Sequence, residues 1–224
     1  MERSGLLFVM SGPSGAGKTT LCNEVVAIVP GLQQSISYTT RTPRPGEVNG
    51  RDYVFVEQAA FHEKVRRNEF AEWAHVHGHF YGTLRSTLTE MLEKGLDVLL
   101  EIDTQGAKQI KKIFTDAVFI YIMPPSIESI RTRLEQRGGD SPGEIQRRLQ
   151  KAREEVWSYR DYFYIIRNDE QQEALKGLEA IILAERIKTK RLDIGWLEEK
   201  FIREMEDKVG DRLGSKINQG EGHD

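Results

Sequence analysis

The sequence predicts an α/β fold in which a parallel sheet is covered by helices on both faces and carries a β-rich insert. Three observations predict it. Short apolar runs recur along the chain, each leading into helix-like sequence, as buried parallel strands joined by crossover helices require. A glycine-rich turn joins the first run to the first helix. Between the first and second runs lies a segment of alternating, aromatic-rich character that reads as separate β-structure.

Taken in order, Leu6 to Met10 is the first strand, and Thr19 to Val29 is a helix whose Leu21, Val25, Ile28 and Val29 recur at helical spacing. Pro30-Gly31 stops it. From Ser35 to Gly82, the proline-stiffened Thr40-Arg41-Thr42-Pro43-Arg44-Pro45-Gly46 and the alternating Asp52-Tyr53-Val54-Phe55-Val56 predict an inserted mixed β subdomain, extending with its flanks over about residues 35–95. The runs Asp97–Asp103, Ala117–Met123 and Phe163–Ile166 supply three more buried strands. Residues 126–157 are helix-prone and arginine-rich, and the break Gly138-Gly139-Asp140-Ser141-Pro142-Gly143 predicts the tip of a movable helical lid. A last helical pattern runs from Glu173 to Arg191. One domain over 1–191 is therefore expected, followed by a charged helix or tail over 192–224 whose final residues fray.

Composition narrows the classes of function. The chain has 32 basic and 35 acidic residues, a net charge of −3, so no broad nucleic-acid surface is expected and any basic site is local. Its single cysteine, Cys22, excludes an internal disulfide framework and a Cys-rich zinc site, and suits a reducing cytoplasm. The N-terminal apolar run is too short for a signal-peptide core. No segment approaches the roughly 20 apolar residues that cross a bilayer, so a cytoplasmic protein without a membrane partner is expected.

The glycine-rich turn is Ser11-Gly12-Pro13-Ser14-Gly15-Ala16-Gly17-Lys18-Thr19-Thr20. Gly12, Gly17, Lys18 and Thr19 match G-x-x-x-x-G-K-[ST], and the match sits between a buried strand and a helix, the context that gives it meaning. Small residues at Pro13 to Ala16 let backbone amides curl around an anion, the helix presents its positive end, Lys18 reaches the β- and γ-phosphates, and the Thr19 hydroxyl can hold Mg²⁺. The fold is therefore of P-loop NTPase type and a nucleoside triphosphate is the expected ligand. No guanine-reading N-K-x-D segment is present, and the chain is short for a motor ATPase. A small kinase fits best, and its acceptor site needs basic groups. Arg41 and Arg44, with Tyr53 close behind, supply forked donors suited to a phosphomonoester.

These motifs together, with N-E-F-x-E-W-A around Glu72, Y-G-T at 81–83, E-I-D-x-Q-G at 101–106 and R-L-x-x-R-G at 133–138, resemble guanylate kinase from about Leu6 to Arg191. The resemblance implies transfer of the γ-phosphate of ATP to GMP, giving ADP and GDP, with Mg²⁺. It implies that Arg41, Arg44, Tyr53 and Tyr81 hold the GMP phosphate and that Ser37, Glu72, Thr83 and Asp103 surround guanine. Guanine presents N1–H and a 2-amino group side by side, and a carboxylate such as Glu72 accepts both, whereas adenine would leave it unpaired. Arg133, Arg137 and Arg148 match the family's lid and phosphate-contacting arginines, and Asn168 its adenine-proximal position. Glu101 and Asp103 are two apart at the end of a predicted strand, so they share a face. The family usually has Asp at the first position, and the longer Glu101 would act on Mg²⁺ through its water shell.

The acceptor oxygen of GMP is already anionic, so positioning and charge neutralisation suffice and no strong general base is required. His75, His77 and His79 alternate, yet lack a thiolate or a clear fourth ligand, and local polar roles are expected. Two other readings stay open at this level. A phosphopeptide-binding module of the same shape would be expected to have a degraded phosphate loop, and here the loop is intact. A kinase for another phosphorylated acceptor would lack the set Ser37, Glu72 and Thr83. The tail reads either as a homo-oligomer contact or as a solvated helix.

Overall fold

The computed structural model describes residues 4–76, 78–138, 141–191, 195, 198–202 and 205. His77, the Gly139-Asp140 pair of the expected lid tip and most of 192–224 lie outside the described residues. The chain divides into two compact units, Ser4–Glu185 and residues 1–3 with 186–224. The second contains a 3-10 turn at Thr189–Arg191 and a π-helical turn at Glu198–Ile202.

The larger unit is built on a five-stranded parallel sheet of β1 (Leu7–Ser11), β2 (Leu32–Gln34), β7 (Asp97–Glu101), β8 (Val118–Met123) and β9 (Tyr164–Arg167), ordered β2-β7-β1-β8-β9. β1 is buried along its whole length, which is why it is apolar on both faces rather than alternating. Its side chains divide by parity. Phe8 and Met10, with Leu99, Ile120 and Ile122, pack under Leu21 and Val25 of α1 (Lys18–Ile28) and Leu178 and Ile182 of α7 (Gln171–Arg186). Leu7 and Val9, with Val98, Leu100 and Phe119, meet Leu88 of α3 (Arg85–Glu93) and Ile110 of α4 (Thr104–Ile113).

Several details differ from the sequence expectation: the run Phe163–Ile166, expected as a buried strand, forms the edge strand β9 with only Ile166 buried, and the last helix ends at Arg186 rather than Arg191. The edge strand β2 was not expected: Leu32-Gln33-Gln34 is too short and polar to read as a buried run, and it is held by pairing with Asp97, Val98 and Leu99. The strand expected over Asp97–Asp103 stops at Glu101, because Asp103 turns to cap α4, its carboxylate accepting the Gly106 N–H at 2.9 Å.

The insert is a second, mixed sheet of β3 (Tyr38–Thr39), β4 (Val54–Phe55), β5 (Phe70–Val76) and β6 (His79–Leu84), ordered β4-β3-β6-β5, with α2 (Gln58–Arg66). Phe61 of α2 is fully buried and stacks on Phe70 (4.6 Å) and Phe80 (5.6 Å), fixing the helix to the sheet. The arginine-rich stretch forms α5 (Ile127–Arg137) and α6 (Pro142–Glu155) around a small core of Ile130, Leu134, Leu149 and Ala152. Both helices start with a capping box, Ser126 with Ser129 and Ser141 with Glu144, and Pro142 opens α6.

Replacing Phe8, fully buried at the centre of β1, by Ala should lower stability by about 3–5 kcal/mol. A reduced urea midpoint with an unchanged slope would measure it.

Candidate active site

The turn after β1 forms a loop closed by the Ala16 N–H donating to the Pro13 carbonyl at 3.1 Å. Gly17, the N-cap of α1, has φ +89°, and a Cβ there would stand 2.4 Å from Asn168 Nδ2, so only glycine fits. Where α4, α5 and α6 are capped by side chains, α1 has neither a side-chain cap nor an acidic residue in its first turn. Its positive end therefore faces the loop without a protein counter-charge of its own, a setting suited to phosphate. Lys18 Nζ lies back on the loop, donating to the carbonyls of Gly12 (2.7 Å) and Pro13 (3.1 Å). Burial lowers its pKa, and Glu101 and Glu155 oppose that shift. The Thr19 hydroxyl donates to Glu101 Oε1 at 2.9 Å, joining the first residues of α1 to the end of β7.

Across a cavity of about 150 Å³ from this loop lies a buried polar chain. Glu72 on β5 and Thr83 on β6 are cross-strand partners, and the Thr83 hydroxyl donates to Glu72 Oε1 at 2.7 Å. Ser37 Oγ lies 2.9 Å from Thr83 Oγ1, completing a relay in which each hydroxyl donates onward to the carboxylate. The register of β5 shifts between Phe70 and Glu72, and a bulge of this kind re-aims side chains, here bringing Glu72 inward at 3% exposure. Burial pushes its pKa up to about 8, the Thr83 hydrogen bond opposes this, and Asp103 adds to it. Gly12, Ser14, Lys18, Ser37, Tyr53, Glu72, Tyr81, Glu101 and Asp103 all line this one cavity, although they come from both sheets.

A second cavity of about 380 Å³ shares Tyr81 with the first and is lined by Arg41, Arg44, Arg147 and Arg148. Arg41 is buried and forks onto Glu47, both N–O distances being 2.8 Å, while the Arg44 N–H donates to the same carboxylate at 2.7 Å. Burial works against the Arg41 charge, and Glu47 and Tyr81 together outweigh it; the Arg41 fork holds Glu47 below the usual carboxylate range. The Tyr53 ring sits 5.3 Å from the Arg41 guanidinium and edge-on to Tyr81.

Other expected residues sit elsewhere. Arg133 on α5 lines neither cavity; its guanidinium donates to the carbonyls of Ala16 (3.0 Å) and Asn168 (2.9 Å). The buried Asn168 amide also donates to the Ala16 carbonyl, at 2.7 Å, so both residues brace the loop from behind. Arg137 is the last residue of α5, and its side chain lies outside the described residues. Asp103 borders the first cavity, but its carboxylate is engaged with Gly106 N and Gln105 Nε2.

Two residues were missed. Glu47 lies in the segment between Arg41 and Tyr53, and its spacing from Arg41 and Arg44 could have marked it as their counter-ion. Glu155, at the end of α6, lines the first cavity with Lys18; one Glu in an Arg- and Glu-rich helix carries no sequence signal.

The guanylate kinase family model matches residues 4–185. The chain belongs to the guanylate kinase family. It is 50% identical over 192 residues to a guanylate kinase of Geobacter sulfurreducens, covering 86% of this chain and 95% of that one. To a guanylate kinase of Clostridioides difficile it is 43% identical over 203 residues, covering 91% and 98%. The crystal structure of guanylate kinase from Anaplasma phagocytophilum superposes with a TM-score of 0.75 at 34% identity, covering 89% of this chain and 97% of that one.

The raised pKa of Glu72 makes stability depend on pH. A carboxyl that is harder to ionise when folded contributes stability that is fully present below its ordinary value of 4.5 and lost as pH rises through about 8. The ligand-free protein should therefore melt at falling temperature across that window. Glu72→Gln, a neutral isostere, should flatten that dependence in differential scanning calorimetry.

Proposed function

We propose that this protein transfers the γ-phosphoryl group of ATP to GMP, and to dGMP, which carries the same base, giving ADP and GDP or dGDP. The observation that carries the reading is a single cavity lined both by Gly12, Ser14 and Lys18 of the phosphate loop and by the buried Ser37 and Glu72. Family membership supports the same reaction. The domain that performs it spans 1–191, with the acceptor-binding insert over about 35–95 and the lid over about 126–157.

Residues Gly12 to Thr20 cradle the ATP phosphates, and Asn168 lies toward adenine. Arg41, Arg44, Tyr53 and Tyr81 hold the acceptor phosphate, a reading supported by their setting: Tyr53 lines the first cavity, Arg41 and Arg44 line the second, and Tyr81 lines both. Ser37, Glu72, Thr83 and Asp103 enclose guanine. An anionic oxygen of the acceptor phosphate forms a bond to Pγ as the bond from Pγ to the β,γ-bridging oxygen breaks, and ADP leaves with that electron pair. No proton need be removed by the protein, so its contribution is alignment and charge. Lys18, Arg41 and Arg148 meet the charge that spreads over the transferring group, joined by Arg133 and Arg137 when the lid closes.

Mg²⁺ suits the donors present. Thr19 and Glu101 offer hard oxygen atoms, and among the described residues no cluster of three His, Cys, Asp or Glu side chains forms a separate metal cage. When bound, the ion neutralises and orients the β- and γ-phosphates. We place the reaction in the cytoplasm, where both substrates occur. Among the described residues no helix is long and apolar enough to cross a membrane.

The deciding experiment measures transfer from ATP and Mg²⁺ to GMP, AMP, CMP and UMP in parallel. GMP should be strongly preferred, and EDTA should abolish transfer until Mg²⁺ is restored. Lys18→Ala should lower kcat by about 10²-fold or more, as loss of a transition-state donor does. Glu72→Gln should raise KM for GMP by roughly 10- to 100-fold, as loss of a hydrogen bond to a charged group does. Equal use of all four acceptors would overturn the guanine reading.

Closure of the insert and lid over the sheet follows from the need to keep water from the transferring group. Small-angle scattering should show compaction with GMP and a non-hydrolysable ATP analogue; an unchanged radius of gyration would rule it out.

A further inference from the structure

Glu72 is held from one side by Thr83 and Ser37, and on its other side lies α4, a helix of the core layer rather than of the insert. Gly106 of α4 faces Glu72 directly: a Cβ built on it would stand 2.4 Å from Glu72 Oε2 and 3.1 Å from Cδ. One turn further, the Gln109 side chain grips the next residue of β5. Its Nε2 donates to the Trp73 carbonyl at 2.7 Å, and its Oε1 accepts the Trp73 N–H at 3.2 Å. Neither Gly106 nor Gln109 lines the substrate cavity.

We infer that α4 fixes the aim of the guanine-reading carboxylate through two positioning residues, Gly106 by leaving room for Oε2 and Gln109 by anchoring the backbone beside Glu72. The inference rests on the reading that Glu72 recognises guanine. Glycine is a poor residue for the first turns of a helix, where alanine is preferred, so helix formation gives no reason for Gly106. The space above it does. An alanine would collide with the end of a side chain rather than with backbone, so the fold can absorb the change by swinging the carboxylate. Glu72 is buried and tied at Oε1, and a swing would carry both oxygens off the line that two adjacent donors on a base require. Gln109→Met keeps length and loses both hydrogen bonds, allowing β5 to drift.

The test compares wild type, Gly106→Ala, Gln109→Met, Glu72→Gln and the Gly106→Ala/Glu72→Gln pair as full-length proteins, varying GMP at saturating ATP and Mg²⁺. Gly106→Ala should raise KM for GMP by about ten-fold or more and Gln109→Met by about three-fold, with kcat changed less than KM, as a loss of ground-state binding requires. The melting temperature of Gly106→Ala should not fall. On the Glu72→Gln background, Gly106→Ala should add little, because residues acting through one group are not additive. A normal KM in Gly106→Ala, with a raised KM in Glu72→Gln, would overturn the inference and leave the base reading standing. A normal KM in Glu72→Gln would overturn the base reading and the inference with it. Equal penalties from Gly106→Ala on both backgrounds would mark a general packing role and also overturn it. Should Gly106→Ala fail to fold, Gln109→Met decides, an unchanged KM counting against the inference.

Discussion

The position of β1 between β7 and β8 is the constraint on which the site depends. Met10 pairs with Glu101 on one side, and Ser11 pairs with Tyr121 on the other. That register sets the phosphate loop, the Glu101 carboxylate and the cap of α4 at one edge of the sheet, where strand order makes a crevice for ligands. The insert then needs only to bring Ser37, Glu72 and Thr83 to the far wall. Its aromatic core of Phe61, Phe70 and Phe80 makes that wall stiff.

A second thread is the management of charge. The net charge is slightly negative, yet the cavities gather Lys18, Arg41, Arg44, Arg147 and Arg148. Before an anion arrives, buried cations need partners, since isolated charges in a poorly solvated site are costly. Glu47 serves Arg41 through a two-point fork, while Glu101 and Glu155 act on Lys18 through space. Glu47 thus orders Arg41, and Glu101 and Glu155 favour the charged form of Lys18 against the effect of burial.

The sequence made the parallel sheet legible because buried strands such as Leu6–Met10 and Ala117–Met123 have no polar face to blur them. It made the phosphate loop legible because glycine spacing there answers to backbone geometry rather than to packing. β2 escaped notice because a three-residue edge strand owes its existence to a neighbour, and no local pattern records that. The placement of Asp103 illustrates the same limit: parity along a strand says which face a residue takes, not where capping will end the strand. Arg133 was legible as part of a motif, but its contact with the Ala16 carbonyl spans more than a hundred residues of chain and is a property of the folded assembly alone.

The grip of Gln109 on Trp73 bears on association as well. β5 is an edge of the four-stranded sheet, and edges present unpaired backbone groups that recruit other strands. At Trp73 the outward N–H and carbonyl are both taken by one glutamine amide, which supplies the donor and acceptor of a missing neighbour without being a strand. A side chain from the core thus closes the sheet at the point where its ligand-facing strand would otherwise be open to intruders, and the protein guards against edge-to-edge aggregation there without lengthening the sheet.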